Sequence, residues 1–160
     1  MAISQLDDFA RVAQDFCDWA EAPARSVDEE VGIALRLVSQ LYSHALNLPE
    51  LFDEEEVPDT AHQDWFAIFK RFGALPFNYY GACFEPTDVA DSLPGVGDVA
   101  DDLADIWRDL RGGLALHQKG NRPAAAWAWR NSFHTHWGRH ATSALYALHC
   151  WQSLHHQRGS

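Results

Sequence analysis

The 160-residue chain has three cysteines, and no pattern joins them. Cys17, Cys83 and Cys150 are odd in number and far apart, with no C-x-x-C pair. That excludes a disulfide frame and a zinc knuckle, and it suits a reducing compartment. His149 precedes Cys150, but adjacent helix residues do not face each other, so that thiol has no base set beside it. No apolar run approaches the roughly 18 residues of a membrane span, and residues 1–9 lack the charged start and apolar core of a signal peptide. Positive charge is scarce: 12 Lys and Arg against 23 Asp and Glu leave a net charge of −11. Nucleic acid and anionic membranes are therefore not expected partners. The phosphate-binding motif G-x-x-x-x-G-K-[ST], G-x-G-x-x-G after a strand, and G-x-S-x-G are all missing. P-loop ATP hydrolysis, dinucleotide binding and α/β-hydrolase chemistry have no support. No convincing strand alternation occurs either. The expectation is a soluble, cytoplasmic, acidic protein with one domain over residues 1–160.

What is present is helical periodicity. Leu6, Phe9, Val12, Phe16 and Trp19 recur at three- and four-residue steps over residues 4–20. Ser26 with Glu29 forms a capping box for a helix to about residue 46, whose stripe is Val31, Ala34, Leu35, Val38, Leu41 and Ala45. Thr60 with Gln63 suggests a second capping box and a helix to about residue 73. Residues 74–97 are punctuated by Pro76, Gly81, Pro86, Pro94, Gly95 and Gly97, yet they carry Phe77, Tyr79, Tyr80 and Phe84. Regular structure is not expected there; an ordered aromatic loop over the bundle is. A fourth helix spans residues 98–118, with Gly112 and Gly113 weakening its end. Asn121 and Pro123 start a long last helix to about residue 155. These elements predict an all-α, up-down bundle of about five helices.

All 23 acidic residues lie before residue 110, while residues 110–160 hold six Lys and Arg and seven of the nine histidines. Internal pairing is the first reading of that split; a basic groove for an anionic ligand is the second. On the fourth helix Asp98, Asp102, Asp105 and Asp109 form one acidic stripe, joined by Asp101. On the last helix His136 and His140 stand four apart beside Phe133 and Trp137, a spacing that lets two imidazoles reach one metal. If these helices are antiparallel neighbours, Asp102 and Asp105 meet His136 or His140. The result is a buried Asp–His ion pair, the first expectation, or a carboxylate–imidazole site for Mg, Mn or Zn, the alternative. Arg108, Arg130 and Arg139, with Tyr80 and Trp137, are candidate ligand-binding residues, since arginines clamp phosphate bidentately when they are not already paired with acids.

The run Asp101-Asp102-Leu103-Ala104-Asp105-Ile106-Trp107-Arg108-Asp109-Leu110, followed by Trp127-Ala128-Trp129-Arg130 and His136-Trp137-Gly138-Arg139-His140, resembles a bacterial family, domain of unknown function 5063. The likeness is strongest over residues 98–150. It implies a bacterial, all-α, cytoplasmic protein and carries no activity.

No complete catalytic set stands in the sequence, and no cofactor is required by it. The first functional expectation is a non-catalytic helical module that binds or regulates a protein partner, a basic one being what an acidic chain would suit. The alternative is a metal-dependent hydrolase acting on a phosphorylated small molecule or nucleotide through the Asp/His site.

Overall fold

The computed structural model describes residues 2–90 and 92–159, except for the side chain of Ile3. Met1, Ser160 and Asp91 of the aromatic segment thus lie outside the described residues. The chain forms α1 (Ala2–Glu21), α2 (Val27–Ala45), α3 (His62–Phe72), β1 (Tyr79–Ala82), β2 (Gly95–Asp98), α4 (Val99–Gln118) and α5 (Arg122–Ser132). A π-helical turn, Phe133–Trp137, then leads into α6 (Gly138–Arg158). The fold is all-α with one two-stranded ribbon.

Local chemistry starts the helices. The Ser26 hydroxyl accepts from Glu29 N, and the Glu29 carboxylate accepts from Ser26 N, completing the capping box on α2. The Asp98 carboxylate accepts from the backbone of Ala100 and Asp101 to start α4, and Asn121 does the same for Ala124 on α5. The Thr60–Gln63 box is not formed. Helix α3 begins at His62, capped by the extended backbone of Ala61 with no side-chain bond.

Helix α4 is the centre of the bundle, in contact with α1, α3, α5 and α6. Leu103, Ile106 and Leu110 are fully buried, in one core with Phe9, Phe16, Trp129, Trp137 and Leu148. Each buried indole has an acceptor: Trp129 Nε1 donates to Leu110 O at 3.1 Å, and Trp137 Nε1 donates to Trp129 O at 3.3 Å. Gly112 and Gly113 do not loosen α4. Both are buried, and a Cβ on Gly113 would collide with the Trp129 indole, so the missing side chain is what lets α5 approach.

The long last helix is present and runs through a π-helical turn at Phe133–Trp137, while two expectations about residues 74–97 need correction. The segment 74–97 is not wholly irregular, because β1 and β2 pair antiparallel with Tyr80 opposite Gly97. A ribbon of four-residue strands, one of them Gly-Val-Gly-Asp, offers no alternating apolar pattern to read. Only Phe77 and Tyr80 of its four aromatics pack against the core; Tyr79 and Phe84 are exposed. Pairing with Gly97 is also what seats Tyr80, since the ring lies where a Cβ would stand.

The acid-free C-terminal third pairs with acids from the rest of the chain. Lys119 meets Glu55, Arg122 meets Asp7, Arg130 meets Glu50 and Arg139 meets Glu85. Among the described residues, no helix is long and apolar enough to cross a membrane.

Candidate metal centre

The acidic stripe of α4 lies against the π turn and the start of α6. Helical spacing alone puts Asp102, Asp105 and Asp109 on one line, and burial of the adjacent Leu103, Ile106 and Leu110 turns that line toward the last helices. Asp102 and Asp105 are both buried. From the other side, the π turn carries His136 and the first turn of α6 carries His140. A π turn adds a residue to the helical circuit and re-aims side chains, and such turns concentrate at functional sites.

The contacts are ordered around one oxygen. His136 Nδ1 lies 2.6 Å from Asp109 Oδ2, and His140 Nδ1 lies 2.6 Å from Asp102 Oδ1. The opposite nitrogens, His136 Nε2 and His140 Nε2, are each 3.3 Å from the same atom, Asp105 Oδ2. The other oxygen of that carboxylate, Oδ1, is already engaged: Trp65 Nε1 donates to it at 2.8 Å and Arg108 Nη2 at 2.9 Å. Tyr80 donates its hydroxyl to Asp102 Oδ2. Asp101 stands beside this set, and a ligand atom each from Asp101, Asp102 and His140 fall within 4.8 Å of one another.

The electrostatics follow from the crowding of carboxylates. Hydrogen bonds that His136 donates to Asp105 and Asp109 raise its pKa to about 10, against the opposing effect of burial. Burial opposes ionisation of Asp105, but His136, Arg108, His140 and the Trp65 indole together hold its carboxyl below the usual range. Asp101 moves the other way, raised by burial and then by the neighbouring charge of Asp105. Burial and then Asp102 keep the Tyr80 hydroxyl protonated, so it is a donor here.

The structure therefore brings together Asp102, Asp105, His136 and His140, with Tyr80 and Arg108 at their edge. Trp137 lies behind them, fully buried. Arg130 and Arg139 are elsewhere, each 2.9 Å from a loop glutamate. Asp109, part of the stripe, was not legible as the partner of His136. Nor was Trp65, which reaches the centre from α3 across 40 residues of sequence.

Two chemistries fit this geometry. Without metal, two imidazoles are held between carboxylates in an ion-pair network. With metal, Asp105 Oδ2, His136 Nε2 and His140 Nε2 would supply three ligand atoms, which lie within 4.8 Å of one another. Two ligands about 2.05 Å from one ion at the tetrahedral angle stand about 3.3 Å apart, which matches both Asp105–imidazole separations. The shorter Nδ1–carboxylate contacts are then the outer bonds that fix ring orientation and tautomer in metal-binding histidines.

A family model described as a domain of unknown function (DUF5063) matches residues 3–153. No curated protein matches the sequence. In structure, the chain is similar to the crystal structure of protein BF1032 from Bacteroides fragilis, at 19% identity and a TM-score of 0.76. The match covers 93% of this chain and 94% of that one, so the two share a fold over nearly their whole length.

Proposed function

We propose that this chain, which belongs to the DUF5063 family, is a metal-dependent helical protein. Its centre is Asp105, His136 and His140, suited to Zn²⁺ or a similar transition metal. Two imidazoles favour such an ion over Mg²⁺, whose preferred ligands are oxygens. The observation that carries the reading is the convergence of both Nε2 atoms, at 3.3 Å, on one Asp105 oxygen while both Nδ1 atoms are tied to carboxylates. Three protein ligands leave a fourth position for water, the arrangement of hydrolytic zinc sites, where the ion lowers the proton affinity of that water. In metal-free protein the His136 imidazolium holds a proton that an entering cation must displace, so binding tightens as pH rises.

Zinc added to chelator-treated protein should bind at one ion per chain and raise the melting temperature. Saturation at 100 times the dissociation constant adds about 2.7 kcal/mol to stability. The rise should vanish in His136→Ala and His140→Ala and persist in His134→Ala, which lies on the same turn and is exposed. A wild type that neither retains zinc nor shifts its melting temperature would reject the metal centre.

A second reading, a non-catalytic module for a protein partner, is favoured by an apolar groove between β1 and α6. Phe77, Tyr80, Tyr146, Cys150, Trp151 and Leu154 line it. That reading gains ground only if the metal experiment fails.

A further inference from the structure

We infer that residues 52–60 form a strap that closes one side of the Asp–His cluster and lifts from the bundle while the helices stay folded. The inference does not depend on whether the cluster holds a metal. Three observations carry it.

The first is how the segment is held. Among the described residues, no backbone group of residues 52–60 bonds to the backbone of a helix or strand. Glu55 N instead donates locally, to Asp53 Oδ1 at 2.8 Å. A segment without such bonds opens at far lower cost than the helices beneath it. Side chains alone dock it. Phe52 meets the Trp127 ring with centroids 5.0 Å apart, yet stays 66% exposed. Glu55 pairs with Lys119 and accepts from Asn121. Just before the strap, Glu50 pairs with Arg130 at 2.9 Å. Exposed pairs of this kind each contribute little, so the attachment is specific but weak.

The second is a seat on α4. Val57 rests where a side chain on Gly112 would stand, and a Cβ there would collide with its Cγ1. Helix propensity alone favours alanine inside α4. Glycine at 112 leaves the strap its place.

The third is what the strap covers. Pro58, Asp59 and Thr60 line a cavity of about 260 Å³ together with Arg108, Asp109 and Ser132. Arg108 bonds Asp105, and Asp109 bonds His136, so this cavity adjoins the cluster. It is smaller than the roughly 300–1,000 Å³ of small-molecule sites. The same three strap residues line a cleft of about 540 Å³ with Asp64, Trp107 and Arg111. They stand between the two spaces, and lifting them joins both along α4. A ligand of ordinary size reaches the Arg108–Asp109 edge only with the strap lifted.

The test is cleavage of the native full chain by a glutamate-specific protease, which finds Glu54, Glu55 and Glu56 in the strap. A synthetic peptide of residues 47–61 sets the rate for a segment that nothing holds. The folded protein should be cut within residues 54–56 at least about tenfold more slowly than the peptide, with its helices left intact. Adding 1 M urea, corrected by the peptide, should change that rate less than about twofold, whereas opening by global unfolding would rise about fivefold or more. Gly112→Ala keeps every glutamate and should speed the cut by about fivefold or more, with the melting temperature unchanged or raised. The double variant Lys119→Ala with Arg130→Ala should speed it through different contacts. Arg11→Ala, whose exposed pair lies on α1, should not. Cleavage as fast as the peptide, a rate that follows global unfolding in urea, or a rate unmoved in both folded strap variants would each overturn the inference.

Discussion

Replacing Glu30 by alanine should lower the unfolding free energy by about 3–5 kcal/mol, the range found when one partner of a buried ion pair is removed. Glu30 is fully buried near the N-terminus of α2. Its carboxylate accepts from Trp19 Nε1 at 3.1 Å, from Arg25 N at 2.9 Å and from Arg71 Nη1 at 2.5 Å. Arg71 in turn donates to the carbonyls of Ala22 and Trp19 at the end of α1. One carboxylate thus ties α1, α2 and α3 together, and its loss leaves a largely buried guanidinium without its counter-charge. Burial opposes ionisation of Glu30, but the bonds from Arg71 and Arg25 N prevail and hold its carboxyl below the ordinary value of 4.5. The sign of the pH dependence follows. The pair stabilises fully above the unfolded-state value and loses its contribution as pH falls through the lowered folded-state value. Urea titrations of wild type and Glu30→Ala should differ most near neutrality and converge toward acid. The double substitution Glu30→Leu with Arg71→Met should recover much of the loss, because an apolar replacement leaves no charge stranded.

Asp102→Ala should act on stability and on metal together. In the metal-free protein it leaves the Tyr80 hydroxyl and His140 Nδ1 without their acceptor. The expected loss is about 2–4 kcal/mol, because each stranded group costs about 1–3 kcal/mol. On the proposed zinc reading Asp102 would orient a ligand through His140 Nδ1, and affinity should fall roughly 10- to 100-fold with stoichiometry unchanged. Asp8→Ala is the control. Its pair with Arg11 is exposed on both sides, 51% and 66%, and removing it should cost well under about 1 kcal/mol. Chemical denaturation with and without zinc reads both effects. Unchanged zinc affinity in a folded Asp102→Ala protein would show that the Asp102–His140 bond plays no part in ligation.

Much of the bundle was legible in the sequence because each helix carries an unbroken apolar stripe, and Ser26, Asp98 and Asn121 are caps whose partners are local. The pairing of α4 with the last helices was legible for a related reason. Asp102 and His140 both border apolar stripes, where an ionisable group must find a partner. The rest depended on contacts that no local pattern carries. Glu30 stands four residues before Ala34, on the core stripe, but its partners Trp19 and Arg71 lie 11 and 41 residues away, where no local pattern points to them. The π turn leaves no propensity signal, since Phe133, His134 and Trp137 fit an α-helix equally well. Gly112 and Gly113 read as weakness from helix propensity alone, and only the position of Val57 and Trp129 shows them to be points of close approach. Trp65 and Asp109 joined the centre through tertiary packing of α3 and the re-aimed His136.

Zinc K-edge X-ray absorption on the loaded protein tests the metal centre most directly. The account predicts one ion per chain in a shell of four nitrogen and oxygen atoms at about 2.0–2.1 Å, with no sulfur. Outer-shell scattering should show two imidazoles in the wild type, and His136→Ala should take up no zinc in the same preparation. A spectrum without imidazole scattering, or a six-oxygen shell indifferent to His136→Ala, would contradict it.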